Sequence, residues 1–328
     1  MTTKTFGGYF PLELPAAQHH FYPHAQKYRS ARNALYHFLI ARRPQRLWMP
    51  VLICQSVIDA VQASGVEIVW YPLDENYFPQ LSGDVAADDC LLYVDYLGHC
   101  LTQSERILNS FPADRVIIDR SQAFYSPLPK ALACLWSPRK FFGVADGGLL
   151  QTTFTMPPAD PPDQDTHRHT AHLLLQHECD TRSGYSAFLQ AEAALDTISA
   201  SGMSALTDRL LRSVNYREIR RIRERNYRLL SVRLGDLNAF RFPEQPVIGP
   251  FCYPFFFPAR ALHAALIAQG VFVATYWREV LERVSANSVE AHFVNYMVPL
   301  PCDQRYSESD MEQLSDIVRT VVEDGDKD

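Results

Sequence analysis

The sequence predicts an α/β fold, with a large domain built on a mostly parallel central sheet and a smaller C-terminal α/β domain. Short apolar runs of strand length alternate with helical patterns in the first half of the chain, which is typical of a parallel sheet covered by helices on both faces. A chain of 328 residues is too long to fold around a single small hydrophobic core, so a second domain is expected. We place the two domains at residues 1–205 and 206–328.

Apolar runs bounded by polar or turn residues predict the strands of the large domain. They are Arg46–Pro50, Val66–Tyr71, Cys90–Val94, Arg115–Ile118, Ala133–Trp136 and Gly148–Thr152. Two helices are predicted in the same region. Ser30–Ile40 begins with Ser30 as its N-cap, and Gln55–Ser64 ends at Gly65, which suits a C-cap.

The second half of the chain has a different pattern. Met156–Asp165 is rich in proline and aspartate and predicts an exposed loop. Gly184–Leu234 is predicted to be helical throughout, and its arginine-rich part is expected to face solvent or a second subunit. The C-terminal domain is predicted to contain the strand Phe251–Phe257, the helix Ala259–Ala268, the strand Val271–Thr275 and the final helix Ser309–Val322.

Composition and charge exclude several classes of protein. The net charge of -6, from 37 acidic and 31 basic residues, does not suit a nucleic-acid partner. The seven cysteines contain no C-x-x-C pair, so neither a disulfide framework nor a zinc site is expected, and a reducing cytoplasm is the predicted location. No signal peptide and no apolar run of membrane-spanning length is recognised. The spacing of His167, His169 and His172 favours a solvated loop over a metal site.

Lys140 lies between two apolar runs in Ser137–Leu150 (SPRKFFGVADGGLL), directly after one predicted strand and before another. Alone it would be taken for a surface lysine. Upstream, however, another strand ends in Asp119, with Gln122 three residues later. Because ligands of open α/β sheets bind at the carboxyl ends of the strands, Asp119 and Lys140 are expected to face one pocket.

This pair has a known chemical use. A lysine that forms a Schiff base with pyridoxal 5′-phosphate (PLP) needs a carboxylate partner for the pyridine nitrogen of the cofactor. Lys140 and Asp119 would fill these two places. The start of the helix at Ser30 offers free backbone N–H groups for the phosphate, and Ser137 adds a hydroxyl.

Taken together, these segments resemble the fold-type-I PLP enzymes, and specifically the sugar aminotransferases of the DegT/StrS type, over nearly the whole chain. The order and spacing of the motifs carry the resemblance. The motifs are Ser30-Ala-Arg-Asn-Ala-Leu35, Met49-Pro50, Val94-Asp-Tyr-Leu-Gly98, Asp119-Arg-Ser-Gln122-Ala123, Lys140 to Gly148 with Asp146-Gly147-Gly148, Thr275-Tyr-Trp277 and Val298-Pro-Leu-Pro301.

The resemblance implies a role for each matching residue. Asp119 would pair with the pyridine nitrogen, Gln122 with the ring hydroxyl, and Ser121 would lie against one ring face. Ser137 and the backbone of the first helical residues would hold the phosphate, and Lys140 would be the catalytic lysine. The cofactor-binding residues predicted in this way are Ala31, Arg32, Cys54, Asp119, Ser121, Gln122, Ser137 and Lys140.

Two positions depart from the family pattern. Arg32 stands where the family has threonine, so a guanidinium replaces a hydroxyl near the phosphate. Cys54 stands where an aromatic residue commonly stacks on the cofactor. Tyr96 or Phe124 would then have to supply that ring face, or cofactor binding is weaker than usual.

The resemblance implies an aminotransferase that acts on a nucleotide-linked keto sugar, as in polysaccharide biosynthesis, with glutamate as the expected amino donor. Two alternatives stay open: another PLP reaction such as sugar dehydration, against which Lys140 argues, and a non-catalytic relative with a binding or regulatory role. A homodimer with active sites at the subunit interface is also implied. Arg278 and Arg305 are the C-terminal arginines considered for the donor carboxylate, although surface or salt-bridge roles are favoured for both.

Overall fold

A mostly parallel seven-stranded sheet forms the centre of the structure, a computed structural model that describes residues 6–239, 245–259 and 261–325. Within these residues the strand order is β1-β7-β6-β5-β4-β2-β3. In this sheet, as far as the structure describes it, β7 alone is antiparallel to its neighbours, which are β1 and β6. The strands are β1 (Gln26–Tyr28), β2 (Arg46–Pro50), β3 (Glu67–Tyr71), β4 (Cys90–Val94), β5 (Val116–Asp119), β6 (Ala133–Trp136) and β7 (Gly148–Thr152).

The strands predicted for this region are confirmed, except that β3 and β5 begin one residue later than predicted and β5 also ends one residue later, at Asp119. The helices around the sheet are α1 (Ala31–Arg42), α2 (Gln55–Ser64), α3 (Leu101–Ser110), α4 (Ala171–Glu178) and α5 (Thr181–Ala193). Ser30 caps α1 by accepting a hydrogen bond from the Asn33 N–H at 3.2 Å. Gly65 ends α2 with φ 75°, a conformation that glycine adopts without strain.

The region from residue 184 to 234 corrects one prediction, because it is not one continuous helical stretch. After α5 the chain leaves the helix and forms bridges from Ser201 to Asp160 and from Gly202 to Tyr28. The bridge from Gly202 to Tyr28 covers the edge strand β1, and helical backbone could make neither pairing. Helical structure resumes with α6 (Ala205–Leu211) and α7 (Tyr216–Leu234).

The arginine-rich part of α7 is also not wholly exposed as predicted. One face of this helix is buried, and it contains Arg223 and Asn226 together with Leu230 and Leu234. The two polar side chains are buried because they donate to backbone carbonyl groups of neighbouring segments.

The C-terminal part forms a second, smaller sheet in which β8 pairs with β9 in antiparallel fashion. Val271–Thr275 is not a strand, which corrects the prediction. Val271 and Val273 are buried and Phe272 is exposed, so side chains do alternate between the core and solvent as in a strand. Within the described residues, however, β8 pairs only with β9, so this segment has no neighbouring strand with which to form a ladder. The elements are β8 (Tyr253–Phe256), α8 (Leu262–Ala268), α9 (Val289–Tyr296), β9 (Met297–Leu300) and α10 (Glu308–Gly325).

Two hydrophobic cores accompany the two sheets. The larger surrounds the central sheet, and the smaller gathers apolar side chains from α7, α8, α10 and the β8–β9 pair. The domain boundary between residues 205 and 206 stays a prediction. The predicted helix Ala259–Ala268 begins only at Leu262, and its residue Arg260 lies outside the described residues. Among the described helices, none combines the length and apolar character needed to cross a bilayer.

Candidate active site

The carboxyl edge of the central sheet brings three predicted parts of the site together. At this edge β1 leads into α1, β5 ends at Asp119, and β6 leads through Ser137 into a short 3-10 helix, Pro138–Lys140. Because β7 is antiparallel, its first residue, Gly148, lies at the same edge. Adjacent strands lie about 4.8 Å apart, so Asp119 is a close neighbour of the segment after β6, whereas β1 lies three strand spacings, about 14 Å, from β5.

Asp119 is buried, with only 8% of its surface exposed, and half of its carboxylate is free to bind a ligand. Oδ1 accepts a hydrogen bond from the Ser121 backbone N–H at 2.8 Å. Oδ2 makes no hydrogen bond to the described part of the chain. The carboxylate is therefore oriented by one oxygen and leaves the other as an acceptor for a donor such as a protonated ring nitrogen.

Asp95 and Arg120 form a buried pair beneath this site, and sequence reasoning gave neither of them a role. The Asp95 N–H donates to the Asp119 carbonyl at 2.9 Å, and the Arg120 N–H donates to the Leu135 carbonyl at 2.8 Å, so the ends of β4, β5 and β6 are joined. The pKa of Asp95 is raised because the carboxylate is buried, and Arg120, whose Nε lies 3.6 Å from Asp95 Oδ2, offsets part of this increase. The rule that singled out Asp119, an acid directly after a buried strand, also applies to Asp95.

Gln122 supplies a buried donor that lacks a partner. Its Oε1 accepts from the Leu97 N–H at 3.0 Å, which fixes the side-chain amide. Its Nε2 is buried and makes no hydrogen bond to the described residues. An unsatisfied buried N–H group is unfavourable by about 1–3 kcal/mol, so this amide suits a ligand oxygen such as the ring hydroxyl of PLP.

Lys140 is exposed at the end of the 3-10 helix, and its Nζ makes no hydrogen bond or ion pair with the described residues. Its backbone N–H donates to the Ser137 carbonyl at 3.1 Å. Ser137 itself is 7% exposed, and its hydroxyl is without a hydrogen-bond partner in the described part of the chain. The amine and the hydroxyl are therefore both available to a ligand.

The start of α1 is packed directly onto β7. The Gly147 N–H donates to the Arg29 carbonyl at 2.6 Å, and a Cβ atom on Gly148 would lie 2.1 Å from the Ser30 carbonyl carbon and 2.3 Å from the Ala31 nitrogen. Only glycine fits there. The close approach holds the free N–H groups of the first turn of α1, including those of Ala31 and Arg32, at the start of β7, and such groups favour a phosphate.

The Arg32 side chain is engaged away from these N–H groups. Its guanidinium donates to the Leu195 carbonyl at 3.2 Å and to the Asp196 carboxylate at 3.0 Å, both in the segment after α5. The contact between this guanidinium and a phosphate therefore stays a prediction, and so does the contact of the Arg32 backbone N–H with a phosphate.

Cys54 is the N-cap residue of α2 and occupies the position at which an aromatic residue would stack on the cofactor. Its Sγ lies 3.1 Å from the Ser56 Oγ. Tyr96 and Phe124 are 0% and 1% exposed, so neither ring has an open face. Tyr96 instead donates to the Leu52 carbonyl at 2.9 Å, within the core.

Asp146 has a structural role that the sequence pattern did not indicate. It is buried, and its carboxylate accepts from the Ser204 N–H at 2.8 Å, from the Ser204 hydroxyl at 2.8 Å and from the Thr207 hydroxyl. These bonds attach the start of α6 to the turn before β7. Both oxygens of the carboxylate are thereby engaged by donors at the start of α6.

The two C-terminal arginines have different surroundings. Arg305 forms a bidentate ion pair with Asp303, with both N–O distances at 2.8 Å, and this hydrogen bonding raises the pKa of Arg305. Arg278 is exposed, and its guanidinium makes one long contact, 3.4 Å, to the Thr275 hydroxyl. Arg278 is thus the less engaged of the two.

Two cavities lie away from the sheet edge. One of about 490 Å³ is lined by residues of α1 and the segment after β7, and one of about 400 Å³ is lined by His19, His20 and Arg212. The His20 ring bonds Asp208 at 2.9 Å, and burial lowers its pKa. Neither cavity includes a predicted cofactor residue.

Several solved structures with the same architecture are described as aminotransferases, most of them as sugar aminotransferases. The chain is similar to the aminotransferase TlmJ from Streptoalloteichus hindustanus (16% identity, TM-score 0.63, 91% of this chain and 86% of that chain covered). It is also similar to the sugar aminotransferase CalS13 from Micromonospora echinospora (15% identity, TM-score 0.61, 91% of this chain and 87% of that chain covered). A third similar structure is the PMP form of the putative sugar aminotransferase Spr1654 from Streptococcus pneumoniae (13% identity, TM-score 0.66, 92% of this chain and 88% of that chain covered). No protein-family model and no curated protein matches the chain.

These likenesses establish the fold. The prediction of a fold-type-I architecture, with a mostly parallel central sheet and a further small sheet, is confirmed by the strand order and by these structures. At 13–16% sequence identity these likenesses do not show which reaction the chain catalyses, because the reaction depends on the residues of the site and not on the fold.

Proposed function

We propose that the chain is a PLP-dependent aminotransferase that acts on a nucleotide-linked keto sugar, with an amino acid such as glutamate as donor. One observation carries the proposal. In a sheet with the fold of sugar aminotransferase structures, the segment after β6 carries a free amine on Lys140, and the end of β5 carries a carboxylate oxygen without a partner on Asp119 and an unsatisfied amide donor on Gln122, within the described residues. These are the three groups that a PLP ring requires.

The residues present fit the cofactor group by group. Asp119 Oδ2 would accept from the pyridine N–H, Gln122 Nε2 would donate to the ring hydroxyl, and the first N–H groups of α1 with the Ser137 hydroxyl would hold the phosphate. Bound PLP supplies an electron sink for the carbon that exchanges its amino group. The Lys140 amine would move the proton between the donor's α-carbon and the cofactor's C4′ atom.

The experiment that tests the cofactor assignment is reduction with borohydride in the presence of PLP, followed by peptide mapping. We expect a pyridoxyl group on Lys140. The variant Lys140→Ala should lose the label, and Lys130→Ala, which removes another exposed lysine from the loop before β6, should keep it. A label on a different lysine, or no label on the wild-type protein at saturating PLP, would refute the assignment.

The substrates are tested with the PLP-loaded protein. Glutamate should convert the absorbance of bound PLP to that of the amine form, and a nucleotide-linked keto sugar should restore it. Arg278→Ala should raise the KM for glutamate if this arginine, the less engaged of the two, receives the donor carboxylate. Arg305→Ala is the matched comparison, since Asp303 already occupies that guanidinium.

A second candidate is a non-catalytic relative that uses the fold for binding or regulation. Two observations favour it: the Arg32 guanidinium is paired with Asp196 rather than free, and Cys54 replaces a stacking aromatic residue. If glutamate and other amino acids all leave the absorbance of bound PLP unchanged, this candidate replaces transamination. Lys140 argues against a sugar dehydratase, since that reaction commonly uses a histidine in place of the lysine.

A homodimer with the site at the subunit interface is part of the proposal. Large apolar side chains are exposed on the N-terminal arm and on the α4–α5 pair, which is typical of an interaction surface. They are Phe6, Tyr9, Phe10, Leu12, Leu174, Tyr185, Phe188 and Leu189. Leu189→Arg should give monomers in sedimentation, whereas Val232→Arg, at an exposed position of α7, should not.

We also place the protein in the cytoplasm. All seven cysteines are free, which suits a reducing compartment. Mass spectrometry of thiol-labelled protein from intact cells should find seven reactive thiols after denaturation. Recovery of disulfide-linked peptides would contradict this location.

A further inference from the structure

The segment that contains Lys140 is held by donors from the C-terminal part of the chain. The carbonyl oxygen of Phe141, the residue directly after Lys140, accepts from Arg223 NH2 at 3.2 Å and from Gln304 Nε2 at 2.7 Å. Arg223 lies on α7 and is 2% exposed. Both lone pairs of this carbonyl are therefore used by side chains that come from far along the sequence.

Arg223 binds three separate segments at once. Its Nε donates to Gln304 Oε1 at 2.9 Å, and its NH1 donates to the carbonyls of Pro250 at 2.9 Å and Phe251 at 3.3 Å. Its guanidinium carbon also lies 4.8 Å from the centre of the Phe141 ring.

A guanidinium is suited to this arrangement. A buried arginine is ordinarily paired with a carboxylate, but Arg223 forms no ion pair with any described residue. Its donors go to backbone carbonyls and one amide instead. The planar fork of an arginine can reach several acceptors together, which the single ammonium of a lysine cannot do with the same geometry.

The lysine segment needs such support, because its own structure is short. The 3-10 helix Pro138–Lys140 is held internally by the bonds from the Lys140 N–H to the Ser137 carbonyl and from the Phe141 N–H to the Pro138 carbonyl, at 3.1 Å and 2.9 Å. A single turn of this kind is marginal when isolated. The bonds to the Phe141 carbonyl fix the chain on the C-terminal side of the lysine.

We infer that Arg223 is a positioning residue, which fixes the backbone of Lys140 and couples its amine to the placement of α7 and the C-terminal segments. The effect on the Lys140 amine rests on the proposed function, in which Lys140 binds PLP. The effect on the backbone of the lysine segment does not rest on it, and the two effects are measured separately.

The variants are chosen to separate positioning from a general loss of stability. Arg223→Met keeps an unbranched side chain against the Phe141 ring and removes every donor. Arg223→Lys restores the charge and part of the bonding. The control is Arg225→Met on the same helix, since Arg225 donates to Asn226 Oδ1 at 2.8 Å and to the Tyr306 carbonyl at 3.1 Å and has no bond to the lysine segment.

The first measurement is amide hydrogen exchange of the cofactor-free protein. Hydrogen bonds from charged donors are strong enough that losing them should accelerate exchange of the Phe141 and Phe142 amides roughly 10- to 100-fold in Arg223→Met. The Arg225→Met control should match the wild type in this segment, and peptides from β4 should exchange alike in all variants. Equal exchange of the Phe141 and Phe142 amides in Arg223→Met and wild type overturns the inference.

The second measurement is the rate at which borohydride-trapped pyridoxyl accumulates on Lys140 at a fixed PLP concentration. We expect it to be at least ~10-fold slower in Arg223→Met, partly restored in Arg223→Lys and unchanged in Arg225→Met. Equal rates in Arg223→Met and wild type overturn the inference. If the wild type itself is not labelled, the proposed function fails together with the chemical role of Arg223, while the exchange measurement still decides whether Arg223 fixes the backbone.

Discussion

Replacement of Gly148 by alanine is expected to separate β7 from the start of α1. The new Cβ would lie 2.1 Å from the Ser30 carbonyl carbon, 2.2 Å from the Ser30 oxygen and 2.3 Å from the Ala31 nitrogen. All three atoms belong to the backbone, so no side chain can rotate to relieve the overlap. The helix start and the strand must therefore move apart by about 1 Å.

The size of the effect follows from this geometry. Overpacking in a rigid interior typically lowers the free energy of unfolding by about 1–3 kcal/mol, and a clash between two backbone segments belongs at the upper end or beyond. We expect a decrease of about 3 kcal/mol or more, a large share of the roughly 5–15 kcal/mol that stabilises an ordinary domain. The shift also moves the N–H groups of Ala31 and Arg32, so the affinity for PLP should fall by at least ~10-fold.

Urea unfolding and a PLP titration measure the two effects. The matched control is Gly143→Ala, in the same segment, because its Cβ would meet nothing closer than Leu173 Cδ2 at 3.8 Å. Its free energy of unfolding should stay within about 0.5 kcal/mol of the wild type. If Gly148→Ala and Gly143→Ala unfold at the same urea concentration, the close packing of β7 on α1 is wrong.

Three further outcomes are expected. Asp119→Asn should reduce kcat/KM at least ~100-fold with little change in the free energy of unfolding, because the amide still accepts from Ser121 but no longer balances the pyridinium charge; comparable activity would contradict the role of Asp119. Asp146→Asn should instead lower the free energy of unfolding by about 2 kcal/mol, because one acceptor for the donors of α6 is lost, and leave the absorbance of bound PLP unchanged; spectroscopy and urea unfolding distinguish the two variants. His99 is buried in the segment just before α3, and this burial lowers the pKa of its ring to about 4 from its usual value near 6.5. The stability that its neutral ring contributes is complete above pH 6.5 and is lost as the pH falls toward 4. Between pH 7 and pH 5 the wild type should therefore lose up to roughly 2 kcal/mol more than His99→Asn, and equal losses would contradict this account.

The positions of the buried strands could be predicted from the sequence because each strand is a continuous apolar run. β2, β4, β6 and β7 have the predicted bounds, and Asp119 ends β5 at the edge where ligands of such sheets bind. The same local reasoning placed Lys140 and Ser137 after β6, and the structure confirms their position along the chain. Their roles in binding a cofactor stay predictions.

The sequence by itself determined the positions of most strands of the central sheet and of α1 and α2, and it placed Lys140, Asp119 and Gln122 close to strand ends, since these features depend on residues a few positions apart. Only the tertiary structure decided which distant groups meet. Arg32 pairs with Asp196, 164 residues later, and Arg223 is buried against Phe141, 82 residues earlier, although both were expected elsewhere. The alternation in Val271–Thr275 determines which side chains are buried but cannot provide the neighbouring strand that a ladder needs. The physical reason is that apolar spacing is a local property of the chain, whereas the partner of a charge, a carbonyl or a strand edge depends on how remote segments pack.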